Sequence, residues 1–116
     1  MIDLINNPKH YTNVSEIGRR ILRSVRIDLD GDCIDAIESS EYFQNYHAGN
    51  VLKYVWRSGQ KDDARHDLGK ARWYADRYLG FYRSDPLMIG LREAIEVELL
   101  AIGLGLAPKR YQSPTS

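Results

Sequence analysis

Hydrophobic and polar positions repeat at helical spacing over most of the chain. Ile17, Ile21 and Val25 recur every four residues with Arg19, Arg20 and Arg23 between them, which predicts a short helix with one apolar face. Val25, Ile27 and Leu29 also alternate with Arg26 and Asp28 ahead of Asp30-Gly31, so one short extended element stays open there. Asp32 can cap a helix through Cys33, Ile34, Ala36 and Ile37, and Ser39-Ser40 offers a break and a new cap before Glu41. Leu52, Val55 and Trp56 then share one helical face, whereas Asn50, Lys53 and Arg57 share another. Ser58-Gly59-Gln60 ends that helix, and the next starts near Asp62 or Asp63, whose carboxylates suit the positive end of a helix dipole.

In that next helix Leu68, Ala71, Ala75, Tyr78, Leu79 and Tyr82 follow a 3.6-residue period toward the core. Asp67, Lys70, Tyr74 and Arg77 form a second, polar stripe. Asp85 and Pro86 make a cap and first turn, and Met88, Leu91, Ile95, Leu99 and Ile102 mark a last helix closed by Gly103, Gly105 and Pro108. The pattern predicts a mostly α fold, a small helical bundle built around an antiparallel helical hairpin. An N-terminal arm over residues 1–16 precedes a single helical domain over 17–105, with a flexible tail over 106–116.

Composition narrows this picture. A chain of 116 residues supports one hydrophobic core. Lys plus Arg equals Asp plus Glu at 16 each, so no bulk attraction draws the chain to DNA or to an anionic membrane, and neither is expected as a partner. Cys33 stands alone, which excludes an intrachain disulfide and fits a reducing cytoplasm. MIDLINNPKHY lacks the signal-peptide pattern and no apolar run reaches membrane-spanning length, so a soluble cytoplasmic protein is expected. The hairpin and the last helix offer more apolar surface than one small domain readily hides, and a homo-oligomer is expected.

The candidate chemistry lies on the polar stripes. If both face one cleft, Asn50, Lys53 and Arg57 meet Lys70 and Arg77, with Lys61 at the turn, in a cluster able to hold phosphate. Tyr74, Trp56 or Trp73 could stack on a base. The plainer alternative, a solvated face over core tryptophans, stays open. Asp35 and Glu38 lie three apart on a helix and could hold Mg²⁺ together. DLDGDCIDAIE fails as a calcium loop, because Cys33 and Ser39 stand where glycine and glutamate are needed. His10, in NPKHY, could serve as acid, base or hydrogen-bond donor to phosphate, whereas His47 and His66 lack any zinc-ligand spacing. GxxxxGK[ST], GxGxxG and GxSxG are all missing, so any nucleotide chemistry must use another architecture.

NPKHY, CIDAIE, GNVLKYVWRSGQK and DLGKARWYADR, in that order, resemble a small tailed-phage family described as nucleotide kinase-like or SaV-like and formerly filed as a domain of unknown function. The resemblance implies a phage protein made in the bacterial cytoplasm. For one branch of the family it implies a nucleoside monophosphate kinase without a P-loop, acting on deoxynucleotides such as dTMP and dGMP with ATP and Mg²⁺. It further implies catalytic roles for His10, Glu38 and Asp67, metal binding by Asp35 and Glu38, and nucleotide or phosphate binding by Asn50, Lys53, Arg57, Lys61, Lys70, Trp73 and Tyr74. The segment over residues 13–32 is longer than the usual link in that family. The same residues would serve a non-catalytic binder, a sponge for a signalling nucleotide used in host defence. A structural or regulatory phage protein is the third expectation.

Overall fold

The computed structural model describes residues 14–27, 40–60 and 63–105. The helix capped by Asp32, almost all of the arm and the tail lie outside the described residues.

Helix α1, Glu16–Ser24, starts where Ser15 takes an extended backbone and its Oγ accepts from the Gly18 N–H at 2.9 Å. It buries Ile17, Ile21 and Leu22. Of the extended element considered over Val25, Ile27 and Leu29, the described part through Ile27 does not form, and Leu29 lies outside the described residues. Arg26 turns to a φ of 61°, and the Ile27 N–H donates to the Leu22 carbonyl at 3.0 Å, so these residues close the helix as a turn. No strand occurs among the described residues.

A short helix α2, Glu41–Gln44, follows Ser40. Helix α3, Tyr46–Arg57, is capped by Asn45, whose Oδ1 accepts from the His47 and Ala48 N–H groups at 2.9 and 3.0 Å. Gly59 adopts a φ of 82° in the turn beyond it, a conformation that only glycine takes without strain. Helix α4, Ala64–Phe81, is capped by Asp63 through the Arg65 N–H at 2.9 Å. Helix α5, Pro86–Gly103, is capped by Asp85 through the Leu87 N–H at 3.1 Å, with Pro86 in its first turn.

Side-chain contacts fix the hairpin register. Arg57 meets Asp67 near the turn, Tyr54 meets Tyr74 halfway along, and His47 meets Phe81 at the far end. Helices α3 and α4 are therefore antiparallel, as a short turn requires. Helix α5 runs back along α4, marked by Arg72–Glu96 and Arg92–Asp76. Helix α1 bridges α3 and α5, with Gly18 against the Val55 carbonyl and Arg20 paired with Glu98 at 2.7 Å. Exposed pairs of this kind contribute about 1 kcal/mol or less, so apolar burial holds the bundle together.

The core centres on Val51, Leu52, Val55 and Trp56 of α3, packed by Ile17, Ile21 and Leu22 of α1, Leu68 and Ala71 of α4, and Met88, Leu91 and Ile95 of α5. Trp56 is fully buried, which places it in the core and removes it as a base-stacking group. Tyr82, expected to face the core, is 52% exposed because α4 ends at Phe81, one residue short of it. Among the described residues no helix is long and apolar enough to cross a membrane.

Candidate functional site

Helix α3 sits between α1, α2 and α4, and its polar face is covered along with its apolar one. Asn50 is 4% exposed and Lys53 is 5% exposed. A buried lysine costs desolvation energy unless charge, hydrogen bonds or an aromatic face compensate it. The Tyr54 ring supplies part of that compensation and stands at the centre of a cation cluster.

Lys53 Nζ lies 4.9 Å from the Tyr54 ring centroid, Arg57 Cζ 5.0 Å and Lys70 Nζ 5.3 Å. All three fall within the roughly 6 Å reach of a cation–π contact. The Tyr74 ring lies parallel to Tyr54, 6.0 Å away with 10° between planes. Parts of the two polar stripes read in the sequence, Lys53 with Arg57 and Asp67 with Lys70 and Tyr74, therefore converge, and the hinge of that convergence is an aromatic pair. Arg57 also pairs through Nε with Asp67 Oδ1 at 3.2 Å, and the Asp67 side chain is wholly enclosed. Among the described residues the cluster counts three cations, Lys53, Arg57 and Lys70, against the one carboxylate of Asp67.

Like charges gathered within a few ångströms of one ring repel, by about 2 to 3 kcal/mol for a pair roughly 6 Å apart at an effective dielectric near 20. A cation–π contact returns about 0.5 to 2 kcal/mol each. The arrangement thus has the chemistry of an anion cradle: a forked guanidinium, two ammonium groups and a flat aromatic wall. Asn50 contributes little to it directly, because its Nδ2 donates to the Tyr46 carbonyl at 2.9 Å one turn back on α3.

An aromatic surface extends from the cradle along the hairpin. Tyr74 packs edge-on against Tyr46, centroids 6.0 Å apart, and a hydrogen bond with Tyr46, reinforced by burial, holds the Tyr74 phenol above its ordinary pKa. Trp73 packs edge-on against Tyr74 at 5.0 Å yet stays 54% exposed. Arg77 Cζ caps the Trp73 ring at 4.8 Å. Phe81, 71% exposed, stacks its inner side on His47 at 6.0 Å and 12°. His47 Nδ1 is enclosed with no hydrogen-bond partner among the described residues. Trp73, Asp76, Arg77, Gly80 and Phe81 line a shallow groove of about 370 Å³.

The structure thus brings Lys53, Arg57, Asp67, Lys70 and Tyr74 together. Trp73 lies beside them on the open face of α4, and Arg77 lies one turn farther along. His10, Asp35, Glu38 and Lys61 lie outside the described residues. Among the described residues no group of three or more His, Cys, Asp or Glu side chains is placed to hold a metal ion. Sequence reasoning missed Tyr54 as the hub. The available signal was its position between Lys53 and Arg57, three residues before the arginine on the same helix.

Comparison with known proteins corrects the resemblance drawn from the motifs. The family model that matches, over residues 5–76, is that of a protein of unknown function (DUF3310), and it carries no nucleotide kinase assignment. No curated protein and no solved structure matches the chain significantly. The matched span takes in α1, α2, α3 and most of α4, including the whole cation cluster, and the chain belongs to the DUF3310 family of proteins of unknown function.

Proposed function

We propose that the α3–α4 face binds the phosphate of a nucleotide. The observation that carries this reading is the placement of Lys53, Arg57 and Lys70 within 5.3 Å of the Tyr54 ring centroid. Lys and Arg bind phosphate through charge-assisted hydrogen bonds, and a buried setting strengthens each one. Tyr74 and the open Trp73 ring lie where a base attached to that phosphate could stack. Phosphoryl transfer from ATP to a deoxynucleoside monophosphate is the reaction such a cradle would serve, because its catalysis is mostly positioning and charge neutralisation. Mg²⁺ would then come with the nucleotide, with Asp35 and Glu38 as the proposed protein ligands.

One observation favours a second reading, binding without turnover. Asp67 is enclosed and ion-paired with Arg57, so the described part of the cradle presents cations and an aromatic wall but no open carboxylate for a metal or a proton. The protein would then retain a nucleotide instead of converting it.

Calorimetric titration with deoxynucleoside monophosphates and ATP tests the shared claim, and product separation after incubation with Mg²⁺ separates the two readings. Binding should weaken about tenfold or more in Lys70→Gln, since a hydrogen bond to a charged group contributes about 1.5 to 3 kcal/mol. Diphosphate formation selects the kinase, and binding without product selects the retainer. Affinity unchanged in a folded Lys70→Gln protein would place the phosphate elsewhere.

A further inference from the structure

The outer face of α4 alternates cations with open aromatic rings. Lys70, Trp73, Arg77 and Phe81 fall at steps of three, four and four residues, which keeps them on one side of the helix. Neither Lys70 nor Arg77 is ion-paired among the described residues, and both are held at ring faces. The two acids within α4 are paired, Asp76 with Arg92 and Asp67 with Arg57. A chain of zero net charge thus carries a positive stripe on this face of α4. Trp73 and Phe81 are 54% and 71% exposed, and each is braced from behind, Trp73 by Tyr74 and Phe81 by the stacked His47 ring. Braced, open rings interleaved with cations are what unpaired nucleic acid needs: bases stack on the rings and phosphates meet the charges.

Eight residues separate Trp73 from Phe81, about 12 Å along the helix at 1.5 Å per residue. One nucleotide step advances a strand by about 3.4 Å, so a mononucleotide cannot cover both rings. We propose that the Lys70–Trp73–Arg77–Phe81 face binds a short single-stranded nucleic acid without base specificity, with bases on Trp73 and Phe81 and phosphates on Lys70 and Arg77. This face shares Lys70 and Trp73 with the nucleotide reading of the Tyr54 cradle, which needs only one nucleotide, and extends it along α4 through Arg77 and Phe81.

The test titrates the full chain with thymidine monophosphate and with labelled thymidine oligomers of about four and about twelve nucleotides. Trp73 fluorescence and the anisotropy of the label are the readouts. The oligomers should bind at least about tenfold more tightly than the monophosphate, and Trp73→Ala should remove most of that advantage. The salt dependence of oligomer binding should lose about 0.7 of its logarithmic slope in Arg77→Gln, one phosphate contact on a single strand. Both side chains are exposed, so the variants keep the core intact. Oligomers binding no better than the monophosphate would overturn the inference while leaving the cradle standing. Oligomer binding without monophosphate binding would do the reverse. If nothing binds and Trp73→Ala instead dissociates an oligomer in sedimentation, the face belongs to a second copy of the chain and the inference fails.

Discussion

Gly18 of α1 lies hard against the Val55 carbonyl of α3, and replacing it with alanine should destabilise the fold even though alanine is the better helix former. A Cβ at this position would press into the Val55 carbonyl oxygen, with Ser15 Oγ at 3.0 Å and Val14 Cγ2 at 3.1 Å. The obstructing atom is backbone. The Ser15 N–H donates to the Trp56 carbonyl at 2.8 Å and the Ser15 and Ser58 hydroxyls lie 3.3 Å apart, so the two helices are tied together at this level. Relief requires α1 to shift as a unit, and overpacking of this kind costs about 1 to 3 kcal/mol after adjustment. Thermal denaturation followed by circular dichroism should show a melting temperature lower by about 4 to 12 °C. Gly69 supplies the control. It lies inside α4, where a Cβ would meet nothing within 4 Å, so Gly69→Ala should gain up to about 1 kcal/mol of helix propensity. Opposite signs are expected from the same substitution at two helical glycines. A Gly18→Ala protein as stable as Gly69→Ala would refute the close crossing and with it the placement of α1.

Two further outcomes test the caps and the polar ties. Hydrogen bonds from the Arg65 side chain and backbone hold the Asp63 carboxyl below its ordinary pKa. A lowered folded pKa gives stability that is present above about pH 3.9 and lost as pH falls through the folded value. Asp63→Ala should cost about 1 kcal/mol at neutral pH in a denaturant titration, and that cost should vanish in strong acid. The Tyr42 hydroxyl donates to Asp85 Oδ2 at 2.7 Å, and burial first, then the bonds to Asp85 and Tyr78, drive its pKa far above the ordinary value. A raised folded pKa gives stability that is present below about pH 10 and lost as pH rises toward the folded value. Tyr42→Phe should therefore cost about 1 to 2 kcal/mol at pH 7, with a gap to the unsubstituted protein that narrows above about pH 10.

Helices α1, α4 and α5 were legible because their signals are local. The Ile17–Ile21 spacing, the Asp63 and Asp85 caps and the apolar stripe from Met88 to Ile102 depend only on neighbours within a few residues. The burial of Asn50 and Lys53 was not legible in that way. Periodicity marks a polar face but not whether another helix covers it, and α3 is covered on several sides. Trp56 and Trp73 show the same limit: identical side chains in neighbouring helices, one wholly enclosed and the other half open. The convergence of Lys53, Arg57 and Lys70 on Tyr54 joins residues up to seventeen positions apart, and only the hairpin register decides it. The motifs suggested a nucleotide kinase-like family, and the match to a family of unknown function overturns that assignment, because short motifs do not fix an activity.

A crystal structure of the full chain with a saturating deoxynucleoside monophosphate addresses the cradle directly. The phosphate should lie between α3 and α4 with its oxygens about 2.7 to 3.2 Å from donors of at least two of Lys53, Arg57 and Lys70, beside the Tyr54–Tyr74 pair. A nucleotide bound with its phosphate away from these three side chains, or a saturated crystal with the cradle empty, would contradict the assignment of this face to phosphate binding.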